Sequence, residues 1–268
     1  VPEGHVLHRL ADDLTAAFAG RQVAVSSPQG RFASEALLLD GRRVERARAV
    51  GKHLFVEFDD ERVIHIHLGL IGRMTVEAPH PVVGQVRLRI ATPEHVADLR
   101  GPQGCRLTGP EAERTMIARL GPDPLDPCAE PARALDRLSR SHRPLAAVLL
   151  DQSVLAGVGN VYRAEVLFRL GLDPLAPADG VSPATWQRIW ADLVALMAEG
   201  KRLGRIDTVR PEHTPKAMGR PPRVDDHGGE VYVYRRAGEP CLVCGAAVRQ
   251  RDLAGRNLFW CPACQQGR

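Results

Sequence analysis

No stretch of the 268-residue chain stays apolar for the ~20 residues that a membrane helix needs, and no basic segment leads into an apolar one at the N-terminus. A membrane-spanning or secreted class is thereby set aside, and a cytoplasmic protein with no membrane partner is expected. Lysine is almost missing. Only Lys52, Lys201 and Lys216 stand among 36 basic residues, a skew that genome composition explains as well as function does. A large excess of one charge is also missing, since the formal charge is +4. That small excess is unevenly placed: residues 201–268 hold 13 Lys+Arg against 7 Asp+Glu, whereas residues 1–200 hold 23 against 25. A polyanionic partner for the C-terminal part is implied. With 44% hydrophobic and 25% charged residues, the rest is the composition of an ordinary globular protein, long enough for two domains.

Cysteine is scarce too, and its placement is informative. Four of the six form Cys241-x2-Cys244 and Cys261-x2-Cys264, separated by 16 residues, the spacing of a four-thiolate zinc ribbon. A cytoplasmic chain would not keep these as disulfides, and the tail has little core without a metal, so one structural Zn2+ is expected. Cys105 and Cys128 are left over as ordinary thiols.

The stretch from Leu149 to Phe168, LLDQSVLAGVGNVYRAEVLF, is apolar enough to be buried but is broken by Gly157 and Gly159 and followed by Asn160. Helical spacing on both sides predicts a helix, a tight turn and a second helix. The turn would leave backbone N–H groups and the Asn160 amide free at a helix N-terminus, where a phosphate is stabilised. Close helix packing alone would also account for the glycines.

In chain order, Pro2 and Glu3 precede Leu7, Leu10, Leu14, Ala17 and Phe18, which recur at helical spacing. Proline and an acid at a helix entrance serve capping. They also suit chemistry: were Val1 removed, Pro2 would be a free secondary amine able to attack an aldehyde-like carbon, with Glu3 beside it to move protons. From Gln22 to about Leu107 the period becomes two, over 42–50, 53–58, 63–68 and 85–90, and a β-sandwich or flattened barrel is expected. Gly51-Lys52-His53 lies between two of these strands, and His67-Leu68-Gly69-Leu70-Ile71-Gly72 forms a Gly-flanked turn.

Residues 121–127 (GPDPLDP) read as a linker. Helices are expected over 131–139, 144–150 and 182–199, the last with Ser182 as N-cap and Pro183 in its first turn. Its Trp186 and Trp190 belong to an apolar stripe and read as core. The stretch from Gly204 to Gly229, rich in Pro, Gly and Arg, reads as a long functional loop.

Four of these segments, in this order, are similar to those of the formamidopyrimidine-DNA glycosylase/endonuclease VIII family: N-terminal Pro-Glu, Gly-Lys at a strand end, DQSVLAGVGNVYRAE, and the terminal zinc ribbon with GRNLFWCPACQ. The resemblance spans essentially the whole chain. It implies an α+β fold: an N-terminal β-sandwich with a leading helix over 1–120, a linker over 121–127, a helical domain with a helix-two-turns-helix and a lesion loop over 128–230, and a zinc-finger hairpin over 231–268. Carried over to matching positions, it makes Pro2 the nucleophile, Glu3 the general acid/base and Lys52 the lesion-phosphate contact that assists elimination. It makes Asn160 and Arg256 phosphate contacts, and Leu70, with Ile71 second, the wedge that fills the gap left by an extruded base. Two departures accompany it. Val6 replaces a second glutamate common in one branch, and 99–105 (LRGPQGC) replaces the Arg-Arg-Phe-Gly of the guanine-lesion branch.

The resemblance thus implies a bifunctional DNA glycosylase/AP lyase on the endonuclease VIII side, acting as a monomer on damaged DNA and removing oxidised bases, pyrimidines above all. A noncatalytic zinc-ribbon nucleic-acid-binding protein would have no use for a free Pro2. An N-terminal-proline enzyme for small carbonyl compounds would need neither the ribbon nor Asn160.

Overall fold

A computed structural model describes residues 2–224 and 229–266. Val1 lies outside the described residues, as do positions 225–228 of the long loop. The chain divides into two compact units, Val1–Arg119 and Leu120–Arg268.

The first unit opens with α1 (Gly4–Phe18), whose buried stripe of Leu7, Leu10, Leu14 and Phe18 is the one the sequence marks. Eight strands follow: β1 (Ala24–Ser26), β2 (Val44–Val50), β3 (His53–Phe58), β4 (Val63–His67), β5 (Arg73–Glu77), β6 (Leu88–Ala91), β7 (Val96–Arg100) and β8 (Gly104–Thr108). They form two antiparallel sheets of four, ordered β2-β3-β4-β8 and β1-β6-β7-β5. Their apolar faces and the α1 stripe share one core. Thr15 clips helix to sheet, its hydroxyl donating to Ala47 O and accepting from Ala47 N at 3.0 and 2.9 Å. Two short helices complete the unit, α2 (Ala33–Leu39) and α3 (Pro110–Ala118).

The second unit carries α4 (Ala132–Leu138), α5 (Leu145–Val148), α6 (Asn160–Arg169), α7 (Pro183–Leu203), α8 (Pro215–Met218) and the hairpin β9 (Arg249–Leu253) and β10 (Arg256–Trp260). As expected, the Ser182 hydroxyl caps α7 by accepting from Thr185 N. The helix before the glycine turn is shorter than expected. It stops at Val148, and residues 149–159 run through successive turns instead. Gln152 stabilises that path, its amide donating to Leu150 O and Val158 O while accepting from Gly157 N, and Gly157 takes φ +85°, which a side chain would resist. The described part of the long loop is tied by specific hydrogen bonds. Thr214 caps α8, and the base of the loop is tied by Thr208 N donating to Glu230 O at 2.8 Å and by the Arg220–Glu230 ion pair at 2.6 Å.

Val248, Leu258 and Phe259 of the ribbon lie in the same core as Val161, Leu167, Trp186 and Leu193 of the helices. The backbone leading into the ribbon is anchored there by Glu165. This buried carboxylate accepts from the N–H groups of Tyr232, Val233 and Tyr234 and from the Thr208 hydroxyl.

Candidate active site and nucleic-acid interface

At the N-terminus, Glu3 is the residue flanking α1 and Gly4 is its first helical residue, so Pro2 stands outside the first turn. Proline favours helices at the first helical position, and that benefit is absent here. The Glu3 side chain makes no capping hydrogen bond, yet it is only 1% exposed. A carboxylate is costly to bury unless it is engaged, so something other than a capping hydrogen bond holds Glu3 beside Pro2.

Lys52 lies at the tip of the β2–β3 turn, half-buried, after Gly51 at φ +59°. Across β3 and β4 stands a row of histidines: His53 Nδ1 is 2.8 Å from His65 Nε2, and the His53 ring is 5.1 Å from those of both His65 and His67. Burial first, then the neighbouring His67 and Lys52 charges, hold His53 down to about 4. Burial, followed by His53, Arg106 and His67, does the same for His65, also to about 4. His67 is lowered by burial and by Lys52, against a hydrogen bond with the Gln103 side chain. Burial therefore keeps this row of histidines uncharged near neutral pH.

His67 leads into the β4–β5 turn. Leu68 is buried, whereas Leu70 is 54% and Ile71 86% exposed, so neither of the latter two is a buried strand-end residue. Gly72 N closes the turn on Leu68 O at 3.1 Å, and a Cβ on Gly72 would collide with that oxygen, which leaves glycine alone acceptable there. The β7–β8 turn, whose residues replace Arg-Arg-Phe-Gly, packs alongside: Gln103 N donates to Leu68 O at 3.3 Å.

In the second unit, Asn160 is the first residue of α6, but its amide is not free as expected. Nδ2 donates to Asn257 O at 2.9 Å, and Oδ1 accepts from Arg163 Nη2 at 2.5 Å. Arg256 opens β10 and is exposed, opposite Leu253 across a turn in which Ala254 and Gly255 both take left-handed φ. Of these neighbours, Arg163 and Asn257 escape a motif-based reading. Arg163, a charge within an apolar helix three residues after Asn160, was the available signal.

The four ribbon cysteines converge, their sulfurs all within 4.8 Å of one another. Cys241 and Cys264 sulfurs are 3.8 Å apart, and those of Cys244 and Cys261 are 3.4 Å apart. Four thiolates at about 2.3 Å around a tetrahedral zinc stand roughly 3.8 Å from each other, so the set fits zinc and is too open for disulfides. Cys105 has no share in this, being held at about 12 by burial, and Cys128 is exposed.

Comparison with known proteins follows the same segments. Sequence-family models described as the formamidopyrimidine-DNA glycosylase N-terminal domain, the formamidopyrimidine-DNA glycosylase H2TH domain and a zinc finger found in FPG and IleRS match residues 1–104, 120–210 and 238–267. Endonuclease 8 1 of Mycobacterium tuberculosis (strain H37Rv) is 50% identical over 272 residues, covering 99% of this chain and 100% of the relative. The chain belongs to the formamidopyrimidine-DNA glycosylase/endonuclease VIII family. Its identity to a formamidopyrimidine-DNA glycosylase of Parasynechococcus marenigrum is lower, 32%, with 91% of this chain and 89% of that one covered. A probable endonuclease 8 2 of Streptomyces coelicolor is 34% identical, with 100% and 95% covered. The family fold is also seen in a Lactococcus lactis Fpg solved in complex with an abasic site containing DNA, which superposes with a TM-score of 0.80 at 21% identity over 99% of this chain and 100% of that one.

Proposed function

We propose that this family member is a bifunctional DNA glycosylase/AP lyase of base excision repair that removes oxidised pyrimidines and related lesions. The carrying observation is the pairing of Pro2, outside the first turn of α1, with a buried Glu3 that does not cap it. Once Val1 is gone, the Pro2 nitrogen attacks C1′ of the damaged nucleotide, the bond from C1′ to the base breaks, and the base leaves with a proton. Glu3 supplies or accepts protons as the sugar ring opens to an iminium ion on Pro2. Loss of a C2′ proton then expels the 3′ phosphate, and Lys52 steadies the departing phosphate. Asn160 and Arg256 hold the DNA backbone without reading sequence, which suits an enzyme that must search any DNA. Cys241, Cys244, Cys261 and Cys264 would hold the zinc that keeps the ribbon carrying Arg256 folded.

We assign the protein to the cytoplasm, on the nucleoid, as a monomer. A dimeric mass in solution at working concentration would refute that last point.

The test is incubation with abasic-site DNA and borohydride. A chain beginning at Pro2 should be trapped covalently, and Pro2→Gly should trap less while binding nearly as well. A chain retaining Val1 should not be trapped, because an amide nitrogen has a delocalised lone pair. Full trapping by a uniformly N-blocked chain would move the nucleophile elsewhere, with Lys52 the first candidate.

A further inference from the structure

Arg163 is wholly buried, and its guanidinium reaches three oxygens: Ala146 O at 3.0 Å, Asn160 Oδ1 at 2.5 Å and Asn257 O at 3.4 Å. Asn160 closes the triangle by donating Nδ2 to the same Asn257 carbonyl. Asn257 is the chain neighbour of Arg256. One side chain therefore joins the start of α6 to the start of β10, the two places that carry the proposed backbone contacts of this unit.

We infer that Arg163 is a positioning residue that fixes the Asn160 amide and registers the Arg256 strand against it, so that Asn160 and Arg256 grip the DNA backbone as one clamp. This rests on the reading that those two residues bind phosphate. A carboxamide has an acceptor end and a donor end, and a guanidinium is a donor only. With Arg163 on one side, only Oδ1 can face it, so the NH2 end must face the ribbon. One of its two hydrogens is used on Asn257 O, and the other remains to donate to an incoming anion. A flipped amide would set donors against donors at Arg163 and an oxygen against the Asn257 carbonyl. The charge of Arg163 also lies behind the positive end of α6, where it adds to the field on a phosphate without touching it. Arg163 therefore acts on binding through its neighbours.

The test uses full-length zinc-loaded protein and a duplex carrying a tetrahydrofuran abasic analogue that cannot be cleaved. Arg163→Met should weaken binding about tenfold, the scale of one lost hydrogen bond to a charged group. It should leave the slope of log K against log salt unchanged, because the slope counts phosphates contacted. Arg256→Ala should instead lower that slope by about one. Asn160→Ala and Arg256→Ala should be non-additive with Arg163 present and additive in the Arg163→Met background. Arg163→Lys keeps the charge but lacks the fork, so it should not restore the coupling. A slope lowered by one in Arg163→Met would overturn the inference by making Arg163 a phosphate contact, and so would unchanged affinity in a folded, zinc-replete variant.

A measurement on the unmodified protein covers the case in which Arg163→Met does not fold. The Asn160 side-chain NH2 should give two distinct, exchange-protected signals in nitrogen-edited NMR without DNA, and an unprotected pair would overturn the inference. Should Asn160→Ala and Arg256→Ala both leave affinity intact, the phosphate reading itself fails, and the protected amide would still report whether the triangle forms.

Discussion

His53 Nδ1 and His65 Nε2 are 2.8 Å apart on neighbouring strands, a distance at which one neutral ring donates to the other. Both are held to about 4, burial being the main cause, and burial holds His5 there too. Histidine in an unfolded chain titrates near 6.5, so above that pH neither state is charged and the contribution is constant. Between 6.5 and about 4 the unfolded chain takes up protons that the folded one refuses, and stability falls as pH falls. Lys52, His67 and Arg106, which surround the pair, repel the added proton further. The first unit has neither Trp nor Tyr, so hydrogen exchange by mass spectrometry is the suitable probe. β3 and β4 should lose protection between pH 7 and 5, and His65→Phe should make that loss shallower. Equal protection at both pH values would show that the pair is charged or solvated.

The exposed tip of the β4–β5 turn should matter only where a stacked base has to be extruded. Unstacking costs a few kcal/mol, so replacing both Leu70 and Ile71 by alanine should slow single-turnover excision from duplex DNA by about tenfold or more. Excision from single-stranded DNA should change by no more than about twofold, since that cost is already absent. Equal slowing on both substrates would make these side chains structural.

The proposed lesion choice rests on the neighbouring β7–β8 turn, where Gly101, Pro102 and Gln103 stand in place of the arginine and phenylalanine of the guanine-lesion branch. Without those contacts to the opposite strand, dependence on the paired base should be weak. Excision of 5-hydroxyuracil and thymine glycol should exceed that of 8-oxoguanine paired with cytosine, with hydantoin-type lesions among the good substrates. Strong preference for 8-oxoguanine opposite cytosine would reverse the assignment.

Zinc removal should reach beyond the ribbon. Isolated structural zinc sites are worth roughly 10–16 kcal/mol at neutral pH, and here the ribbon shares its core with the helices. Chelation or Cys261→Ser should therefore shift tryptophan fluorescence from Trp260 and from Trp186 and Trp190 together, and DNA binding should be lost. Exchange protection in the first unit should persist. A signal change confined to Trp260 would mean that the ribbon unfolds alone.

Segments with strong local signals were legible from residues alone. Ser182 with Pro183 marks the start of α7, and alternation places β3 at His53–Phe58, its observed limits. β7 did not show itself, because Val96, Ala97, Asp98 and Leu99 do not alternate apolar with polar residues, and the one acid among them is buried by its ion pairs with Arg89 and Arg100. α2 was hidden because Leu37 and Leu38 are exposed, which breaks the helical stripe. At the candidate site, Pro2, Lys52 and the cysteines could be named from spacing and family resemblance. The Arg163 triangle could not, since its members are brought together across 97 residues by folding.

The single core of the second unit also sets an order of events during synthesis. Val161, Leu167 and Leu193 leave the ribosome well before Val248, Leu258 and Phe259, which complete the same core. Until those later residues emerge, the helices expose an apolar face of the kind that aggregates. A cell short of zinc would lengthen that interval. The protein's yield, and not only its activity, would then respond to metal supply.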